Sequence, residues 1–224
     1  MANSTRLFKS FFRLLFPVVL IIAAVTAGFS VWLVYKTSRP LTASYLITPE
    51  KFGQLSSRAA QITDESWTNR DGSGARGWLL RGAENAPAVI LFHKYGADRS
   101  YVLNLGVKLN ESTNFTVLMP DLRAHGNDPK MKICSFGGCE TEDATAAIEF
   151  VRGLKTPNQI SLVNKSIGLY GVELGSLSAL NAAAKDQSVK ALALDSVPGN
   201  SDQLLEKAID ARFPFASNIT AKFA

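Results

Sequence analysis

One stretch, Ile167-Gly168-Leu169-Tyr170-Gly171-Val172-Glu173-Leu174-Gly175-Ser176, narrows the folds open to this chain more than any other. It begins as a short apolar strand, and Leu177 to Lys185 after it is an alanine-rich helix. Gly171 and Gly175 flank the join, which is what a strand needs when it turns sharply into a helix and neighbouring backbone must come close. Glu173 stands at the tip of that turn. A strand-turn-helix unit of this kind belongs in an open sheet with helices on its faces, with any site at the carboxyl ends of the strands.

The rest of the chain repeats that alternation. Ala60–Thr68 and Ala75–Arg81 lean toward strand around the glycine-rich turn 69–74, and read as a hairpin. Val89–Phe92, Phe115–Met119 and Val189–Leu194 are continuous apolar runs, as central strands covered on both faces require. Asp98 or Ser100 is placed to cap a helix carrying Val102, Leu103, Leu105, Gly106 and Leu109. Glu142 to Val151 has helical apolar spacing, with acid at its start and Arg152 and Lys155 near its end, matching the helix dipole. No internal repeat or low-complexity run is present.

Three landmarks in order make the chain resemble the α/β-hydrolase superfamily. Ala86 to His93 with Gly96-Ala97-Asp98-Arg99 is similar to the strand and oxyanion loop of that family, and Asp121-Leu122-Arg123-Ala124-His125-Gly126 to its D-x-R-G-H-G segment. The third landmark is the G-x-S-x-G nucleophile elbow, here with Glu173 in place of serine. The resemblance covers roughly residues 61–197. It implies an α/β fold, a doubly wound and mostly parallel sheet. It also implies oxyanion donors at the N–H of Leu174 and at the N–H of Lys94 or Tyr95, although Lys94 stands where the family usually has glycine.

Acyl transfer on such a fold needs a nucleophile, an imidazole base and a carboxylate to orient it. The histidines are His93 and His125; both precede the elbow, and the resemblance assigns both to structural places. The chain stops at Ala224, soon after the sixth strand, so the family's last two strands, its acid and its histidine are expected to be missing. Asp195 reads as a cap or loop anchor, and Ser176 and Ser178 as helix residues rather than displaced nucleophiles. The leading expectation is a protein that keeps the fold without the catalytic set and serves in binding or scaffolding. The alternative is an ester, amide or peptide hydrolase represented by an incomplete chain, or one with Glu173 as nucleophile, as aspartate serves in the dehalogenase and epoxide-hydrolase branches. A sheet edge left open at the last strand would favour a homodimer or leave the chain poorly folded.

Charge is informative once it is located. Residues 1–39 carry Arg6, Lys9, Arg13, Lys36 and Arg39 with no acid, and the remainder balances at 19 basic against 19 acidic residues, so the excess of +5 gives no nucleic-acid surface. Residues 14–35 are uncharged and as a helix span about 33 Å, enough for a hydrocarbon core of about 30 Å. They read as a membrane helix between a basic segment, 1–13, and a tether and entry segment, 36–59, with the hydrolase-like domain over 60–224. A cleaved signal peptide would have a shorter apolar run and a better cleavage site than Leu41-Thr42-Ala43. The basic leader favours a cytoplasmic N-terminus and a domain outside, with Trp32 and Tyr35 at the outer interface. Cys134 and Cys139 are too few for a zinc site without neighbouring histidines, and outside the cytosol they could form a small disulfide loop. Nothing in the sequence asks for a metal or a cofactor, and no ligand is legible.

Overall fold

The computed structural model describes residues 2–41, 45, 48–53 and 61–214. The side chains of Arg6 and Lys9, residues 42–44, 46–47 and 54–60, and residues 215–224 lie outside them. The chain divides into two compact units, Met1–Thr37 and Ser38–Ala224. The first is one helix, α1 (Ala2–Thr37), whose part Arg13–Thr37 is long and apolar enough to cross a membrane. The helix runs beyond both ends of the 14–35 segment read from the sequence, because Lys36 and Thr37 continue it without a breaker.

The second unit is a six-stranded sheet in the order β1-β2-β4-β3-β5-β6. Its strands are β1 (Ile62–Thr68), β2 (Gly74–Leu80), β3 (Ala86–Phe92), β4 (Thr116–Pro120), β5 (Val163–Val172) and β6 (Val189–Asp195). The β1–β2 and β2–β4 pairs are antiparallel, and β3–β4, β3–β5 and β5–β6 are parallel. The helices are α2 (Pro49–Gly53), α3 (Leu103–Thr113), α4 (Cys139–Arg152), α5 (Leu174–Ala183) and α6 (Ser201–Arg212).

Strand alternation sorts the apolar side chains into two cores. Leu79, Ile90, Phe92, Leu118, Ile167 and Leu169 face one way, onto Ala147, Ile148 and Val151 of α4, Ala179 and Ala182 of α5, and Leu204 and Ala208 of α6. Trp78, Leu80, Leu91, Val117 and Met119 face the other way, onto Val102, Leu103 and Val107. Both faces of β3 and β4 are therefore buried, which is why those strands read as unbroken apolar runs. Strand β6, read from the sequence as another central strand, instead ends the sheet among the described residues and is mostly exposed, since an apolar run alone does not tell an edge strand from a covered one.

Local rules account for most boundaries. Asp98 caps as expected, accepting from the Ser100 N–H at 2.8 Å, but the element it opens is a short 3-10 turn, Arg99–Val102, ahead of α3. Helix α4 starts at Cys139, three residues before the acid expected to open it. The buried Glu140 carboxylate turns back to accept from the N–H groups of Ser135 and Gly137, both at 2.8 Å, closing its own N-terminal loop. Cys134 and Cys139 are free thiols, the first buried and the second exposed at the helix start, so no disulfide closes this loop.

Tyr45, in the stretch read as tether, is fixed to the domain. Its hydroxyl donates to Asp121 Oδ2 at 2.8 Å, its ring lies 5.0 Å from that of Trp78, and the buried Arg99 guanidinium sits 4.9 Å and 4.8 Å from those two rings.

Candidate active site

The turn from β5 into α5 has the geometry its glycines imply. A Cβ on Gly171 would lie 2.3 Å from the Gly175 carbonyl oxygen, and one on Gly175 would lie 2.6 Å and 2.7 Å from the carbonyl oxygens of Phe92 and His93. The first contact closes the elbow; the second seats α5 on the end of β3. Between them Glu173 takes φ 47° and ψ −105°, a region that costs a side-chain-bearing residue on the order of 1–3 kcal/mol. Three bonds hold the strained backbone: the Glu173 N–H donates to the Asp195 carbonyl at 3.0 Å, and its carbonyl accepts from the Leu177 N–H at 3.1 Å and the Ser176 hydroxyl at 2.6 Å. The expected helix start at Leu177 moves back to Leu174, because the helix begins directly after the strained residue.

Glu173→Gly should therefore stabilise the folded chain by roughly 1 kcal/mol, glycine being at ease at this φ. Chemical denaturation of the two proteins side by side tests it; an unchanged or lower midpoint for the glycine variant would mean that the elbow stores no strain.

As the first residue of α5, Leu174 has an N–H without an intrahelical partner, as an oxyanion donor requires. The end of β3 adjoins it through Gly175, so Lys94 and Tyr95 come to the same end of the sheet as Glu173. The Lys94 carbonyl is turned into its own loop, accepting from the Ala97 N–H at 3.3 Å, and its ammonium lies 5.2 Å from the Tyr101 ring. Tyr95 packs its ring on Phe136 at 5.4 Å and on His125 at 5.5 Å, and burial pushes its phenol up to about 12. Ser176 and Ser178 are fully buried, with hydroxyls bonded to the carbonyls of Glu173 and Leu174, so neither presents an alcohol at the tip.

Both imidazoles are locked into the scaffold. His93 is wholly buried; its Nδ1 lies 2.8 Å from the Lys94 carbonyl, and its Nε2 accepts from the Leu122 N–H at 3.1 Å. His125 repeats the pattern, with Nδ1 2.8 Å from the Arg123 carbonyl and Nε2 accepting from the Gly96 N–H at 3.1 Å. A ring that accepts at one nitrogen and meets a carbonyl at the other must be neutral with its proton on Nδ1. Burial lowers both pKa values to about 4, and for His125 the neighbouring His93 adds to the effect. Neither ring has a nitrogen left to take a proton from a nucleophile.

The segment between these histidines is a structural knot. Asp121 accepts from the Arg99 N–H at 2.9 Å and from Tyr45, and a Cβ on Gly126 would lie 2.2 Å from Asp121 Oδ2. Arg123 pairs with Asp143, Nη2 to Oδ1 at 2.5 Å and Nε to Oδ2 at 2.9 Å. A cavity of about 320 Å³ beside this knot and the β1–β2 turn includes neither Glu173 nor Leu174, so it does not extend the elbow.

With the elbow, the sheet order and the D-x-R-A-H-G knot in place, comparison with known proteins is decisive for the fold. The esterase Pf2001 of Pyrococcus furiosus superposes with a TM-score of 0.61 at 23% identity, over 73% of this chain and 60% of that one. The α/β hydrolase GrgF of Penicillium sp. sh18 superposes with a TM-score of 0.53 at 25% identity, over 61% of this chain and 46% of that one. The chain has the α/β-hydrolase fold. In sequence it is similar to the thiohydrolase aneE of Aspergillus aculeatus, 28% identical over 129 residues. That match takes in 54% of this chain and 36% of the thiohydrolase, so the chain spans about a third of that relative's length. No family model matches.

Asp195 reads from the sequence as a cap or loop anchor, and α6 is capped by Asn200, whose side chain accepts from the Gln203 N–H at 2.9 Å. Asp195 ends β6 beside the elbow and serves as its anchor, the carbonyl accepting from the Glu173 N–H at 3.0 Å. Among the described residues no group of His, Cys, Asp and Glu side chains is placed to hold a metal ion.

Proposed function

We propose that this chain is a membrane-anchored α/β-hydrolase-fold protein that binds a ligand at its elbow without acyl transfer. The observation that carries this reading is the occupant of the elbow: a carboxylate stands at the strained tip while both imidazoles of the sequence are engaged by backbone groups elsewhere. Among the described residues the Glu173 carboxylate is in no ion pair, so it is free to meet a cationic or hydrogen-bond-donating group of a ligand. The esterase and thiohydrolase relatives make an ester or thioester the first ligand chemistry to examine, its carbonyl directed at the Leu174 N–H.

Two measurements on the purified chain test the chemistry. A fluorophosphonate probe should leave it unlabelled, and p-nitrophenyl acetate and an acyl thioester should be hydrolysed no faster than in buffer. Turnover that disappears in Glu173→Ala would replace this reading with covalent catalysis at Glu173.

Anchoring rests on Arg13–Thr37, and the basic residues before it favour a cytoplasmic N-terminus with the domain periplasmic or extracellular. The exposed Cys139 reports on this directly, since a membrane-impermeant maleimide should label it in intact cells. Labelling only after lysis would reverse the orientation.

A further inference from the structure

At the opposite end of the sheet from the elbow, a cavity of about 740 Å³ opens at the amino-terminal ends of β5 and β6, within the range of about 300–1,000 Å³ usual for ligand sites. Arg152, Lys165 and Lys190 line it, and no carboxylate does. Glu173 follows the far end of β5, six residues beyond Ile167 where regular pairing resumes, roughly 20 Å at 3.3 Å per residue. This is a separate place, and nothing said of it rests on the reading of the elbow.

The two lysines are brought there by irregularities in the ladder. Pro87 sits within the central strand β3, where it has no N–H to donate to a neighbour. Opposite it the register of β5 slips: Ala86 pairs with Val163 and Ala88 with Ile167, so Asn164, Lys165 and Ser166 together face one proline. The extra residues fold on themselves, with the Ser166 N–H donating to Asn164 Oδ1 at 2.8 Å and Asn164 Nδ2 donating to the Asn85 carbonyl at 3.2 Å. A second slip follows on the other side, where Ile167 pairs with Val189 and Gly168 with Ala191, leaving Lys190 as the residue without a partner. Bulges re-aim side chains and gather at sites of function. Here two adjacent bulges deliver an ammonium each to one cavity.

The third cation is held in position. Arg152 Nη2 bonds Asp186 at 2.7 Å and the Ser188 hydroxyl at 2.6 Å, and Asp186 Oδ1 also accepts from the Ser188 N–H at 2.9 Å. Lys165 and Lys190 have no carboxylate within ion-pairing distance among the described residues. Outside its first 39 residues the chain carries no net charge, and with Arg152 already paired to Asp186 the two unpaired lysines are the local excess that focuses field on an anion. The exposed amide of Gln187 is a further donor.

We propose that this cavity binds a phosphate-bearing ligand, its phosphate oxygens between Lys165 and Lys190. A free phosphate ester and a phospholipid headgroup present the same chemistry, and the test separates them.

Pyrophosphate, glycerol 3-phosphate and dihexanoyl phosphatidic acid are titrated calorimetrically into the detergent-solubilised full chain and its variants. Saturable binding is expected, weakened about tenfold or more in Lys165→Ala/Lys190→Ala and kept in Lys165→Arg/Lys190→Arg. Tighter binding of the phosphatidic acid than of glycerol 3-phosphate identifies a lipid headgroup; equal or weaker binding identifies a free ester. Because both lysines are solvent-facing, circular dichroism should find the alanine variant folded. The proposal is overturned if none of the three saturates by about 10 mM. It is equally overturned if the alanine variant binds as the parent does, or if binding only declines smoothly with salt and never saturates.

Discussion

Asp143→Ala is expected to destabilise the domain by about 3–5 kcal/mol, the usual result of removing one partner from a buried ion pair. Four donors converge on this carboxylate: the Arg123 backbone N–H at 3.0 Å, its Nε at 2.9 Å and Nη2 at 2.5 Å, and Asn69 Nδ2 at 2.8 Å. The side chains of Asp143 and Arg123 are each only 5% exposed, so alanine leaves the guanidinium with Asp71 alone and the Asn69 amide without its acceptor. Burial works against the charge on both groups, raising the pKa of Asp143 and opposing that of Arg123, and each offsets the loss for the other. Replacing the pair together, as Asp143→Leu with Arg123→Met, should recover much of the loss, since no charge is then stranded. Urea denaturation of the three proteins measures this. A single variant within 1 kcal/mol of the parent would show that the pair contributes little beyond its neighbours.

The same knot marks the limit of what sequence discloses. Asp121, Arg123 and His125 were legible as a segment, because a D-x-R-A-H-G spelling after an apolar strand has few other settings. Their partners were not: Tyr45 and Asp143 lie 76 and 20 residues from the groups they bond, and no local pattern encodes such pairings. The strands β3 and β4 were legible to within a few residues, since a strand covered on both faces has to be apolar throughout, but the same apolar spelling made the exposed edge strand β6 read as central. Helix α6 was missed. Its Leu204, Leu205, Ala208 and Ile209 have helical spacing behind the Asn200 cap, so both signals were in the sequence and went unread. Glu173 was placed correctly by Gly171 and Gly175, whose spacing encodes a steric requirement. The bulges of β5 and β6 were hidden although their cause, Pro87, was in view, because a proline in a central strand tells that the ladder must yield and not which neighbour yields.

The buried histidines make the domain acid-labile well above the carboxylate range. In the unfolded chain both imidazoles titrate near the ordinary 6.5, while burial holds them at about 4 in the fold. Their folded values are depressed, so between pH 6.5 and 4 the unfolded state takes up protons that the folded state refuses, and stability falls as pH falls. It is full above about pH 6.5 and lost progressively toward pH 4. Each ring accounts for about 3 kcal/mol over that window at 1.36 kcal/mol per pKa unit, and the pair somewhat less than double because the two rings sit 5.2 Å apart and interact. Asp121 and Asp143, whose pKa values burial raises, act in the opposite sense and only toward the acid end. Urea denaturation at pH 7.5, 6.0 and 5.0 should therefore show the free energy of unfolding dropping with a slope approaching two protons. His125→Asn, which keeps an amide beside the Arg123 carbonyl and removes the titrating ring, should reduce that slope to about one proton even though the variant is weaker at pH 7.5. A free energy that stays level from pH 7.5 to 5.0 would mean that the rings reach solvent before the chain unfolds. The elbow would then regain a candidate base, and the case for a binding protein would lose the observation on which it stands.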